Sequence, residues 1–153
     1  MLKGWHHSNF TVSDMDRSLA FYRDLLGLIV MADQEPEAAY PARVTGFPGA
    51  TFRIVFLQLP GETHFLELIQ YKTRQGEPLP TATNRPGAGH ICFLVHDLPA
   101  TYERLTGHGV QFVSPPVLIT QGVNEGGYAV YMRDPDGATI ELLQRPINAP
   151  LRP

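Results

Sequence analysis

Polar and apolar residues alternate over 7–12 (HSNFTV), and the alternation ends near Asp14. Period-two patterning of this kind predicts a short, half-buried strand. Beyond it, Met15, Leu19, Tyr22, Leu25 and Leu26 recur at helical spacing, and Gly27 supplies a stop. Asp14 fits the N-cap; Arg17 stands where a capping-box acid would sit. Three β-prone runs follow, 28–32, 51–59 and 64–70, with a long connection over 33–50.

The pattern then starts again. Residues 90–97 (HICFLVHD) match 7–14 (HSNFTVSD): His, then Val five later, then Asp seven later. From Asp97 a second helix is predicted, with Pro99 in its first turn, Leu98, Tyr102 and Leu105 on one face, and Gly107 or Gly109 as the stop. Strand-like runs follow at 110–113, 127–133 and 138–144, the last two joined by the turn Asp134-Pro135-Asp136-Gly137. Glu67-Leu68-Ile69-Gln70 matches Glu141-Leu142-Leu143-Gln144. The chain therefore reads as two copies of one β-α-β-β-β unit, an α+β architecture. Module one is expected over about 1–72, a linker over about 73–87, module two over about 88–145 and a tail over 146–153, all within a single domain of 1–153.

Composition narrows the function. With 153 residues, 43% of them hydrophobic, the chain can build one ordinary core. Its net charge of -3 argues against nucleic acid as a partner. A single cysteine, Cys92, excludes an intrachain disulfide scaffold. No apolar run is long enough to span a membrane, and the first residues show no secretory h-region. A cytoplasmic protein without membrane partners is expected.

Strand alternation sorts the polar residues into faces. His7, Asn9 and Thr11 share one face; so do Phe65, Glu67 and Ile69; so do His90, Cys92 and Leu94; so do Thr139, Glu141 and Leu143. Either histidine alone would read as an ordinary core residue, and a strand glutamate usually faces water. The repetition changes this. Glu67 and Glu141 sit inside otherwise apolar runs, and a carboxylate is rarely buried unless paired or metal-bound. His7, Glu67, His90 and Glu141 thus form a candidate set for one divalent ion. Two imidazoles and two carboxylates suit Mn, Fe, Co, Ni or Zn and leave octahedral positions open for a substrate with two oxygens. His6 is expected on the opposite face from His7. Tyr128 and Tyr131 have opposite parity, so at most one faces the site. Within 33–50, Tyr40, Arg43 and Phe47 could cover the site as a lid, with Arg43 meeting a substrate anion.

The segments HSNFTVSDMDRSLAFYRDLLGL (7–28), HFLELIQY (64–71), GHICFLVHDL (89–98) and YMRDPDGATIELLQ (131–144) resemble the vicinal oxygen chelate superfamily. This group holds glyoxalases, bleomycin resistance proteins and ring-cleaving dioxygenases. The resemblance implies that the paired modules curl into a mixed eight-stranded cup around a divalent metal, commonly in a homodimer. It places the metal ligands on His7, Glu67, His90 and Glu141, the pattern of lactoylglutathione lyase and, with variation, methylmalonyl-CoA epimerase. It implies a lyase, isomerase or epimerase that moves a proton beside a chelated carbonyl of a small-molecule substrate. Glu141 is then the first choice of base and Glu67 the second. An extradiol dioxygenase with Fe(II) is the alternative, needing His7, His90 and Glu141 alone; a non-catalytic binding protein is the other. Thr11 and Tyr71 stand where the bacterial lyase has the Arg and Asn that serve glutathione, so a substrate other than glutathione is expected. Asn9, Thr11, Arg43, Phe65, Ile69, Tyr71, Cys92 and Tyr131 are the candidate substrate contacts.

Overall fold

A computed structural model describes residues 1–37, 39–80 and 82–146. The expected tail over 146–153 lies outside the described residues except for Pro146. The chain divides into two compact units, Met1–Leu79 and Pro80–Pro153.

Unit one runs β1 (His7–Thr11), α1 (Met15–Leu19) continuing as a π-helical turn (Ala20–Leu25), β2 (Ile29–Gln34), α2 (Ala39–Thr45), β3 (Phe52–Gln58) and β4 (Phe65–Tyr71). Its sheet has the order β1-β4-β3-β2. β1 pairs with β4 in parallel, and the other pairings are antiparallel. Unit two repeats this with β5 (His90–Leu94), α3 (Leu98–Gly107), β6 (Val117–Leu118), β7 (Tyr128–Arg133) and β8 (Thr139–Gln144), in the order β5-β8-β7-β6. Each unit is a four-stranded mixed sheet. Among the described residues, no helix is long and apolar enough to cross a membrane.

Each helix starts from the end of the first strand by the same device. The Asp14 carboxylate accepts from the Arg17 N–H at 3.0 Å, and Asp97 accepts from Ala100 at 2.9 Å. Both aspartates have the extended backbone of an N-cap. A second cap comes from the last strand of each unit. Gln70 Oε1 accepts from the Met15 N–H at 3.2 Å, and Gln144 Oε1 accepts from Leu98 at 2.7 Å. This gives a purpose to the repeated glutamine: it satisfies a helix-start donor that would otherwise be buried without a partner. Gln70 also donates to the Ser13 carbonyl at 3.1 Å. Replacing Gln144 with Ala should cost about 1 kcal/mol, the ordinary worth of a cap. A urea unfolding midpoint unchanged from the wild type would refute that role.

Below the helix in unit one, Val12, Met15, Leu19, Tyr22, Val55, Leu57, Leu66 and Leu68 are buried. Leu66, Leu68, Val55 and Leu57 project toward this core, so the alternate residues of the same strands form the opposite face. In unit two, Ile140, Leu142, Val130 and Met132 are buried with Leu98 and Leu105 of α3.

Three elements depart from the sequence expectation. The first helix changes to π geometry, where Leu26 N–H bonds to Phe21 at 3.0 Å before Gly27 (φ 84) reverses the chain. Two successive aromatic rings, Phe21 and Tyr22, are buried in that wider turn. The expected connection over 33–50 contains α2. Pro41 falls in its first turn, where a missing N–H costs nothing. The run 110–113 makes a single bridge, Phe112 with Met132, while β6 forms later at Val117–Leu118. Pro115 and Pro116 lack the donors needed to continue one edge strand through both places.

Candidate functional site

The parallel pairing of β1 with β4 sets Asn9 opposite Glu67, and β3 sets Phe56 on its other side. His7 lies one row away, opposite Phe65. The His7 Nε2 approaches Glu67 Oε2 to 3.4 Å. Asn9 Nδ2 donates to the same Oε2 at 3.1 Å. Glu67 is buried, with 8% of its surface exposed, as a carboxylate can be when hydrogen-bonded partners surround it. Phe56 and Phe65, whose rings are 5.9 Å apart, form an apolar floor around the pair.

Unit two builds the equivalent arrangement. Cys92, Glu141 and Tyr131 form one row, and His90, Thr139 and Arg133 the next. His90 Nε2 lies 2.9 Å from Glu141 Oε2. The His90 and Tyr131 rings are 5.2 Å apart, so Tyr131 is the tyrosine on the site face; Tyr128 pairs with Gln144 on the helix face. Arg133 Nη1 donates to the buried Thr139 hydroxyl and, at 3.4 Å, to the Gly137 carbonyl.

Each unit therefore carries one His–Glu pair, at 3.4 Å in the first and 2.9 Å in the second. Two ligands at right angles on an ion with bonds of about 2.1 Å lie about 3.0 Å apart. The observed spacings fit adjacent ligand positions, and the donors are imidazole nitrogen and carboxylate oxygen, suited to a divalent transition ion. Among the described residues, no three or more His, Cys, Asp or Glu side chains are gathered into a group that could hold a metal ion.

The other expected site residues divide. Thr11 and Ile69 share a row on the site face of unit one. Tyr71 packs edge-on to Phe52 at 5.5 Å and Phe47 at 6.4 Å, which draws the segment after α2 toward the end of β4. Arg43 is exposed in the last turn of α2. His6 departs from its expected place. Its Nδ1 lies 2.8 Å from His7 Nδ1, and its ring meets Phe56 and Phe65 on the site face. The strand starts at His7, so alternation does not extend to His6. Phe56 and Arg133 were not singled out from the sequence, and Thr139 was placed on the Glu141 face without a role. Their signal was available in the parity of their strands once register with the glutamates is known.

Cys92 is exposed overall, yet burial of its thiol, the nearby Glu141 charge and a hydrogen bond to that carboxylate push it up to about 12. A free thiol titrates near 8.5. The thiolate population at pH 8 then falls by three orders of magnitude or so, partly offset by the greater nucleophilicity of a more basic thiolate. Metal-free protein should react with an aromatic disulfide reagent at pH 8 on the order of 100-fold more slowly than free cysteine. Reaction at the free-cysteine rate would contradict this environment.

The family model described as Glyoxalase/Bleomycin resistance protein/Dioxygenase superfamily matches residues 4–142. The chain is 32% identical to a 2-epi-5-epi-valiolone epimerase from an Actinomyces species, over 95% of this chain and 81% of the relative. It is 28% identical to a lactoylglutathione lyase from Pseudomonas aeruginosa, over 94% of this chain and 84% of that one. A glyoxalase family protein from Bacillus cereus has the same fold, with a TM-score of 0.81 at 22% identity over 95% of both chains.

Proposed function

The chain belongs to the glyoxalase, bleomycin resistance protein and dioxygenase superfamily, and on that premise we propose that it is a divalent-metal-dependent epimerase, lyase or isomerase that moves a proton at the carbon beside a carbonyl. One observation carries the reading: the same His–Glu pair, at the spacing of adjacent ligands, stands on the corresponding strands of both units. His7, Glu67, His90 and Glu141 are the proposed ligands of one ion, contributed within one chain or by two chains of a homodimer. Bound there, Mn, Fe, Co, Ni or Zn supplies Lewis acidity that stabilises negative charge developing on the substrate oxygen. Glu141 takes the proton from carbon; Phe56, Phe65, Ile69, Leu94 and Leu143 supply the apolar walls. A cytoplasmic setting belongs to the same reading.

The substrate we propose is an uncharged polyhydroxylated ketone. Among the described strand residues on the two site faces, Arg133 is the sole lysine or arginine, and its guanidinium donates to Thr139 and Gly137. An anionic peptide conjugate would leave its carboxylates without a partner, a costly desolvation. Thr11 and Tyr71 supply hydroxyls instead. The Actinomyces relative, named for its action on 2-epi-5-epi-valiolone, supports this choice.

Proton NMR in D2O tests the proposal with two substrates on metal-loaded protein. Deuterium should enter 2-epi-5-epi-valiolone beside its carbonyl, and the methylglyoxal adduct of glutathione should remain unchanged. Turnover of the adduct would overturn the substrate class. Inertness toward both, with oxygen consumed on a catechol, would replace proton transfer with ring cleavage.

A further inference from the structure

We propose that His6 is a positioning residue that holds His7 in the tautomer a metal ligand needs, with the lone pair on the nitrogen that faces Glu67. The inference rests on the reading of His7 as a ligand and adds a residue that the sequence repeat does not contain.

A hydrogen bond between two ring nitrogens needs one N–H and one lone pair. His6 Nδ1 lies 2.8 Å from His7 Nδ1, so one ring donates there and the other accepts. The second nitrogen of His7 decides which. Its Nε2 lies 3.4 Å from Glu67 Oε2, beyond the roughly 2.7–3.2 Å of an N–H···O bond, and Asn9 already donates to that oxygen at 3.1 Å. A proton on Nε2 would find no close acceptor, so the proton of neutral His7 belongs on Nδ1, facing His6. His6 then accepts through Nδ1 and carries its own proton on Nε2. A ligating histidine is ordinarily oriented through its other ring N–H. Here the acceptor is a neutral imidazole in place of a carboxylate or carbonyl.

His6 is exposed, yet it is tied in place. Its carbonyl accepts from the Phe65 N–H at 3.1 Å. Its ring packs edge-on against Phe56 and tilted against Phe65, with centroids 6.1 and 5.3 Å away. Unit two has Gly89 at the matching place, with no side chain to accept. His90 instead meets Glu141 through Nε2 at 2.9 Å, within hydrogen-bond range. The two histidines that the repeat makes look alike therefore differ in tautomer, His7 protonated on Nδ1 and His90 on Nε2.

Two-bond proton–nitrogen NMR tests this in the metal-free full chain with isotope-labelled histidine, at about pH 8.5, where an imidazole with its ordinary pKa of about 6.5 is neutral. His7 should show the Nδ1–H pattern in the wild type and lose it in His6→Ala. Chelator competition reads the consequence: His6→Ala should bind cobalt(II) about 10-fold more weakly, the lower range for loss of an outer partner. His6→Asn, which offers an amide oxygen as the acceptor, should bring affinity back to within a few-fold of the wild type. An Nε2–H pattern for His7 in the wild type overturns the inference while leaving the metal centre intact. So does equal cobalt(II) affinity in His6→Ala and the wild type, or equal weakening in His6→Ala and His6→Asn. A wild type that binds no cobalt(II) overturns the ligand reading itself, and this role with it.

Discussion

Replacing Glu141 with Gln should lower kcat by about 10²–10⁴-fold, the usual contribution of a positioned base, and leave KM within a few-fold of the wild type. The amide has the same shape and keeps one oxygen able to ligate, but it has no carboxylate to receive a proton. Glu141 lies between the thiol of Cys92 and the ring of Tyr131, on a strand whose next residue on the same face is Leu143. Glu67→Gln makes the contrast. It occupies the corresponding place in unit one but is held by Asn9, so its substitution should reduce metal affinity more than turnover at saturating metal. Steady-state kinetics at saturating metal, with the ketone that exchanges deuterium, separates the two. Glu141→Gln retaining more than a third of wild-type kcat would move the base elsewhere, and Glu67 would be next.

The repeat carried most of the architecture. His7 and His90, Asp14 and Asp97, and Gln70 and Gln144 recur because each has the same task in both units: ligand candidate, helix cap, second helix cap. A capping pattern is local, so Asp14 was readable directly. The Gln70 bond to Met15 spans 55 residues and became visible only when β4 was set beside α1. Parity placed Glu67 on the face opposite Leu66 and Leu68, because the strand is regular there. Parity failed for His6, which precedes the strand, and for 110–113, where a proline pair interrupts the edge. The short α2 has no apolar periodicity of its own; Pro41 is its buried residue, while Tyr40 and Val44 are exposed. Asn9 was recognised as a site-face residue, but its partner could not be, since register between β1 and β4 is a tertiary property.

Removing one imidazole should have an equally large effect on metal binding, and it also decides how the two pairs cooperate. His7→Ala and His90→Ala are each expected to weaken binding by more than the 10–100-fold typical of an outer partner, because each deletes a direct donor. The wild type should take up one ion per chain, and either substitution, which leaves three of the four donors, should let a competing chelator remove that ion. This follows from the donor count. A single His–Glu pair offers two protein donors, whereas catalytic sites of this kind use three or more. Neither pair would hold an ion alone against a chelator. Two independent centres would behave differently: the wild type would take up two ions per chain, and each substitution would leave one. Equilibrium dialysis with elemental analysis reads the stoichiometry directly. Loss of the whole ion from either variant supports a shared centre, and retention of half the metal in both would dismantle it.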